Sequence, residues 1–151
     1  MESALRTAYN MLTGEDLENI DFTAVRGFDG IKEAEVTIAG STIKVAVANT
    51  LGKARELMEN VKAGESEYAF VEVMACPGGC VGGGGQIYGI DSDRIKQRIA
   101  AVYDVEKSRR IRRSYQNERI KALYDDYLDS PGSHTAHELL HTGYKERVTR
   151  R

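Results

Sequence analysis

Leu5, Ala8, Tyr9 and Leu12 recur at helical spacing between Glu2 and Leu12, and Thr13-Gly14 follows as a stop signal, so the chain opens on a predicted helix. Period two takes over from Ile31 to Ala48. There Ile43, Val45 and Val47 alternate with Lys44, Ala46 and Ala48, and two short runs flank Gly40-Ser41, which predicts a hairpin. Leu51, Ala54, Leu57, Met58 and Val61 form a second helical stripe ended by Gly64. Tyr68 to Ala75 is then almost continuously apolar apart from Glu72, the pattern of a strand covered on both faces. Strand, helix and strand in this order make a βαβ crossover, so Tyr68 to Ala75 is expected to run parallel to a neighbour inside the sheet.

Helical spacing returns from about Asp91 to Tyr103, with Ile95, Ile99, Val102 and Tyr103 on one face. A charged stretch, Glu106 to Arg113, separates it from a helix capped by Asn117, whose stripe is Ile120, Leu123, Tyr124, Tyr127 and Leu128 and which Pro131-Gly132 ends. Ser133 is placed to cap a last short helix through Leu140, and the residues beyond His141 are polar enough to be mobile without a partner. The expected fold is therefore α/β: a small mixed sheet with a βαβ crossover and flanking helices, followed by a helical C-terminal tail.

Composition narrows the functions. A chain of 151 residues with 41% hydrophobic content can build one real core. A net charge of -2 gives no global reason to bind nucleic acid or an anionic membrane. No run approaches the roughly 20 apolar residues of a membrane span, and the N-terminus lacks the order of a signal peptide, so a cytoplasmic protein is expected.

The chemistry concentrates in Cys76-Pro77-Gly78-Gly79-Cys80 and the glycine run Gly82 to Gly85. The loop leaves the carboxyl end of the predicted strand, where open α/β sheets place their ligands. Two thiolates on so short an arc can reach neighbouring irons of one cluster if the backbone bends freely, as Gly78 and Gly79 permit. The glycines beyond can bring N–H groups close to an anionic cluster. Spacing alone also leaves open an inert or disulfide pair and a redox pair, although a thioredoxin-like pair has two intervening residues rather than three. A phosphate loop is the weaker match, because no Lys-Ser/Thr pair follows the glycines. A cubane takes four cysteine ligands, and the chain has two cysteines.

The stretch Glu72-Val73-Met74-Ala75-Cys76-Pro77-Gly78-Gly79-Cys80-Val81-Gly82-Gly83-Gly84-Gly85-Gln86 resembles the third signature of the iron-only, or [FeFe], hydrogenases. Met1-Glu2-Ser3-Ala4-Leu5-Arg6 and Val45-Ala46-Val47-Ala48 are similar to the C-terminal catalytic region of that family, and Ser133 to Tyr144 to its small-subunit segment, a separate chain in some members. The resemblance implies residues 1–105 as the C-terminal lobe of a hydrogenase catalytic domain and 106–151 as a small-subunit-like helical tail. It implies reversible hydrogen oxidation and proton reduction at a [4Fe-4S] cluster bridged to a diiron subcluster. Cys76 would be a terminal cubane ligand, Cys80 the ligand whose sulfur bridges to the diiron unit, and Met74 a residue packed beside that unit. An electron carrier such as ferredoxin is the implied partner.

The two earlier signatures of the family, with the other two cubane cysteines, the proton-relay cysteine and a lysine contacting cyanide, have no counterpart here. Met1 falls where the family has an internal methionine after a glycine-rich turn. The chain is therefore expected to be a fragment, a truncated reading frame or one subunit of a split enzyme, inactive without the N-terminal part of the domain or a complementary subunit. Ile87 replaces a usual proline, and Gly143 a common histidine. The alternative is a non-catalytic iron–sulfur carrier or sensor, with a cluster held across a dimer.

Other signals are weaker. His137-Glu138-Leu139-Leu140-His141 matches the zinc-protease pattern, yet the nearest candidate for a third ligand is Glu146 in the polar tail, and the histidines are read instead as helix-surface hydrogen-bonders. Lys107-Ser108-Arg109-Arg110-Ile111-Arg112-Arg113 is basic but lies among Glu106, Glu118, Asp125, Asp126 and Asp129 without interleaved aromatics, so it is read as a solvated connector. Glu72 in an apolar strand calls for a polar partner or a place beside the cluster.

Overall fold

In the computed structural model, residues 1–27, 30–89 and 91–145 are described. Two compact units divide between Arg112 and Arg113.

In the first unit, helix α1 spans Glu2–Thr13 and stops at Gly14, whose left-handed backbone (φ 74°) returns its N–H to the Asn10 carbonyl. Strands β1 (Ile31–Ile38) and β2 (Ser41–Asn49) pair antiparallel, and Ile38 faces Ser41 across a two-residue turn. The turn residues are Ala39 and Gly40, both with positive φ, which matches the twist of the flanking strands. Helix α2 (Leu51–Ala63) ends at a left-handed Gly64, and β3 (Phe70–Met74) then pairs parallel with β2.

The sheet order is β1-β2-β3, so β2 is central and β3 is an edge. The apolar run Tyr68 to Ala75 is thus parallel as expected, but it is shorter than the run and does not lie inside the sheet. Phe70 and Val73 stay exposed. Alternation decides where the core sits. Val45 and Val47 face α1 with Leu5, Val25, Val36 and Ile38, while Ala46 and Ala48 face α2 with Leu57, and all four β2 residues are fully buried. Burying Leu57 alone contributes about 2 kcal/mol.

Helix α3 runs Ser92–Lys107, longer than the sequence stripe, with the Asp91 carboxylate accepting from the Arg94 N–H. Ile95 is its buried residue, while Val102 of the predicted face is exposed.

In the second unit, Asn117 caps helix α4 (Glu118–Leu123) by accepting from the Arg119 N–H. The expected single helix does not continue regularly, because a π turn occupies Tyr124–Leu128. That wide turn resets the phase of the predicted stripe: Leu128 is buried, whereas Ile120, Leu123 and Tyr127 are exposed. Ser133 caps helix α5 (His134–Leu140), its hydroxyl accepting from the Ala136 N–H at 3.0 Å and donating to the Leu128 carbonyl at 2.6 Å. The polar tail from residue 146 onward lies outside the described residues. No helix among the described residues is long and apolar enough to cross a membrane.

Candidate metal centre

The parallel register places Asn49 opposite Met74 at the carboxyl ends of β2 and β3, and the Thr50 N–H donates to the Met74 carbonyl at 2.7 Å. Thr50 holds φ at 77°, a conformation costly for a branched residue, at the turn where the chain leaves the sheet. The cysteine loop starts from this fixed point. Gly78 and Gly79 are both left-handed, and the Gly79 N–H closes a turn on the Cys76 carbonyl at 3.0 Å. A short 3-10 turn, Gly79–Gly82, then carries Cys80.

Cys76 is half-buried, Cys80 is exposed, and both are free thiols. They border one open depression of about 510 Å³ together with Glu72, Met74, Gly79 and Gly83. The three sequence-predicted site residues are thus brought to one surface. Glycines allow close approaches around them. A β-carbon on Gly79 would meet the Met74 sulfur, one on Gly82 would collide with the Pro77 carbonyl oxygen, and one on Gly83 would stand 3.4 Å from the Cys76 sulfur. The glycine run does not present all its amides to the depression, because the Gly83 N–H closes a local turn on the Cys80 carbonyl.

Helix α3 supports the loop from below. Arg98 Nη1 donates to the Val81 carbonyl at 3.1 Å, and Ile95 lies beside Gly82. Sequence reasoning found the Ile95 stripe but not Arg98, since a basic residue on an amphipathic helix ordinarily reads as a solvated face. Glu72 is one-third exposed, and its carboxylate lies 3.0 Å from the Met1 backbone nitrogen.

A second cavity of about 320 Å³ shares Glu72 and Met74 with the depression and is also lined by Glu2, Arg6, Tyr103 and Glu106. Behind it lies a network that the sequence did not announce. Arg6, 4% exposed, donates to the Ile20 and Arg112 carbonyls and to the Glu2 and Glu106 carboxylates. Arg26 makes a two-pronged pair with Glu2, joins Asp21 and stacks over Tyr103, while Arg112 ties Asp21 to Glu106. Hydrogen bonds from Arg26 and then Arg112 hold the Asp21 carboxyl down at about 2. The Arg112 guanidinium likewise lowers Glu106, and burial above all pushes the Tyr103 hydroxyl up. Arg112 is therefore committed to this network rather than solvated in a connector.

His137 and His141 are both exposed, and their rings touch each other, with centroids 4.3 Å apart. No group of three or more His, Cys, Asp or Glu that could hold a metal assembles among the described residues. Two thiols on one glycine-cleared loop fit two corners of a four-cysteine cubane and do not make a self-sufficient centre.

Residues 1–84 match the family model for the iron-only hydrogenase large subunit, C-terminal domain, and residues 92–147 match that for the iron hydrogenase small subunit. The chain belongs to the iron-only hydrogenase family. It is 46% identical over 148 residues to the NADP-reducing hydrogenase subunit HndD of Solidesulfovibrio fructosivorans, covering 97% of this chain and 25% of that protein. A solved apo [FeFe]-hydrogenase variant, HydA1 from Chlamydomonas reinhardtii, superposes with a TM-score of 0.76 at 43% identity, over 95% of this chain and 43% of that one. A probable cytosolic Fe-S cluster assembly factor from Drosophila willistoni is 32% identical over 146 residues, 95% of this chain and 30% of that protein. This iron-only hydrogenase chain thus spans about a quarter to a third of the length of the curated relatives it matches.

Proposed function

We propose that the chain contributes Cys76 and Cys80 to the active-site cluster of an iron-only hydrogenase, with the other cubane ligands supplied by residues outside these 151. The observation that carries this reading is the pairing of two free thiols with Met74 around one depression at the carboxyl end of β3, inside the segment that matches the large-subunit family model. When bound, the cluster would supply the electrons and the metal site at which protons and hydrogen interconvert. This chain's own part is to hold it. Cys76 and Cys80 would hold the cluster as two of its thiolate ligands, Cys76 on the cubane and Cys80 on the side of the diiron unit. Met74 packs at the same surface, and Arg98 keeps the loop backbone in place. Residues up to about 105 form the catalytic lobe and the remainder the small-subunit-like tail; the protein works in the cytoplasm with a carrier such as ferredoxin.

The test is hydrogen evolution from reduced methyl viologen after anaerobic cluster assembly, with and without a polypeptide carrying the missing ligands. Activity is expected only with the complement and is expected to vanish in Cys80→Ser. Robust turnover by the isolated chain would refute the dependence. The similarity to an Fe-S cluster assembly factor favours one second reading, a non-catalytic iron–sulfur carrier or sensor whose four thiolates come from two copies. Native mass measurement separates the two, since one cubane per homodimer supports the carrier and a cluster-free monomer opposes it.

A further inference from the structure

The histidine pair at the C-terminal end of α5 has a geometry that the proposed cluster chemistry leaves unused. We propose that His137 and His141 form a surface chelate for a divalent cation that prefers imidazole, such as zinc or copper(II), with water completing the coordination.

The two rings are exposed and already in contact, at 4.3 Å between centroids and 69° between planes. Two imidazoles bound to one cation at about 2.0–2.1 Å, with their nitrogens near a tetrahedral or right angle, hold their centroids only slightly further apart. Turning the two rings about their side-chain bonds and parting them slightly would bring one nitrogen of each onto a common cation. Among the described residues, the ring nitrogens of His137 and His141 have no hydrogen-bond partner that a cation would have to displace. The backbone joins the same two residues, because the His141 N–H donates to the His137 carbonyl at 3.1 Å.

The zinc-protease pattern does not describe this site. His141 has left the helix, with φ −106° and ψ 142°, so its ring folds back over the last turn instead of standing on a continuing helix. Glu138 lies 3.9 Å from His134 across that turn, away from the role of a water-activating base. What remains is a binding site without a protease's catalytic set. Its effect would be structural. A seven-residue helix is marginal by itself, and a cation tying residue 141 to residue 137 would hold its C-terminal end in place.

Calorimetric titration of the full chain with zinc chloride tests this. It is done in a Cys76→Ser, Cys80→Ser background so that thiolates do not compete. One zinc per chain is expected, with binding weakened about tenfold or more in both His137→Gln and His141→Gln, and within about twofold of the parent in His134→Gln. The ring C–H resonances of His137 and His141 should move together during the titration while those of His134 stay put. These side chains are on the surface, so circular dichroism of the variants should match the parent. Binding that survives His141→Gln, or that depends equally on His134, overturns the proposal, as does the absence of heat and of shifts at millimolar zinc. Because the cysteines are removed, the result is independent of whether the loop carries a cluster.

Discussion

The sulfur of Met74 stands 2.5 Å from the point a β-carbon on Gly79 would occupy, so a methyl group there would have to push the Met74 side chain aside. Gly79 is also left-handed, with φ +70°. Gly79→Ala therefore meets both a clash and an unfavourable backbone, and should lower stability by about 2–4 kcal/mol while displacing Met74. Gly84→Ala, with open space at its β position, should leave the urea midpoint within about 0.5 kcal/mol of the parent. Equal midpoints for the two variants would contradict this account of the loop.

Arg6→Ala removes a buried guanidinium that serves two carbonyls and two carboxylates. A loss of about 3–5 kcal/mol is expected in denaturant unfolding. Arg6→Lys keeps the charge but cannot reach four acceptors with one ammonium, and should recover less than half of that loss.

The carboxyl of Asp21 titrates near 2 in the folded protein against an ordinary 3.8. A depressed folded value means that the stabilisation is complete above about pH 4 and is lost as pH falls through 2. Since Asp21 is about one-third exposed, solvent screening leaves roughly 1 kcal/mol. Thermal melts between pH 5 and 2 should steepen in the parent relative to Asp21→Asn, and parallel curves would remove Asp21 from the pH response.

Leu57→Ala empties the centre of the α2 face, where the side chain is 1% exposed, and should cost about 2–5 kcal/mol without altering the α1 face. Hydrogen exchange checks the locality: amides of α2 should lose protection before those of α1.

Much of this was readable from the chain. Gly14 and Gly64 stop helices because they adopt the left-handed conformation, and Asn117 and Ser133 cap because their side chains accept from N–H groups at helix starts. The cysteine loop was found by residue type and spacing. The edge position of β3 was not, since an unbroken apolar run reports a need for cover without naming the neighbour that gives it. The Arg6 network was invisible for a related reason. Arg6 and Arg112, bonded within it, are 106 positions apart, and no local pattern links an arginine in α1 to the carbonyl of Arg112.

Val45, Ala46, Val47 and Ala48 present valines to one side of the sheet and alanines to the other, with no polar residue among them. Within these four residues a one-residue slip would not expose anything greasy to water, so among them the usual penalty for misalignment is absent. Side-chain size enforces alignment instead: a slipped strand would push valines into the thin gap beneath α2 and leave voids beneath α1. Since β3 reads its own register from β2, that discrimination between large and small sets, to a single peptide unit, where the cysteine loop begins.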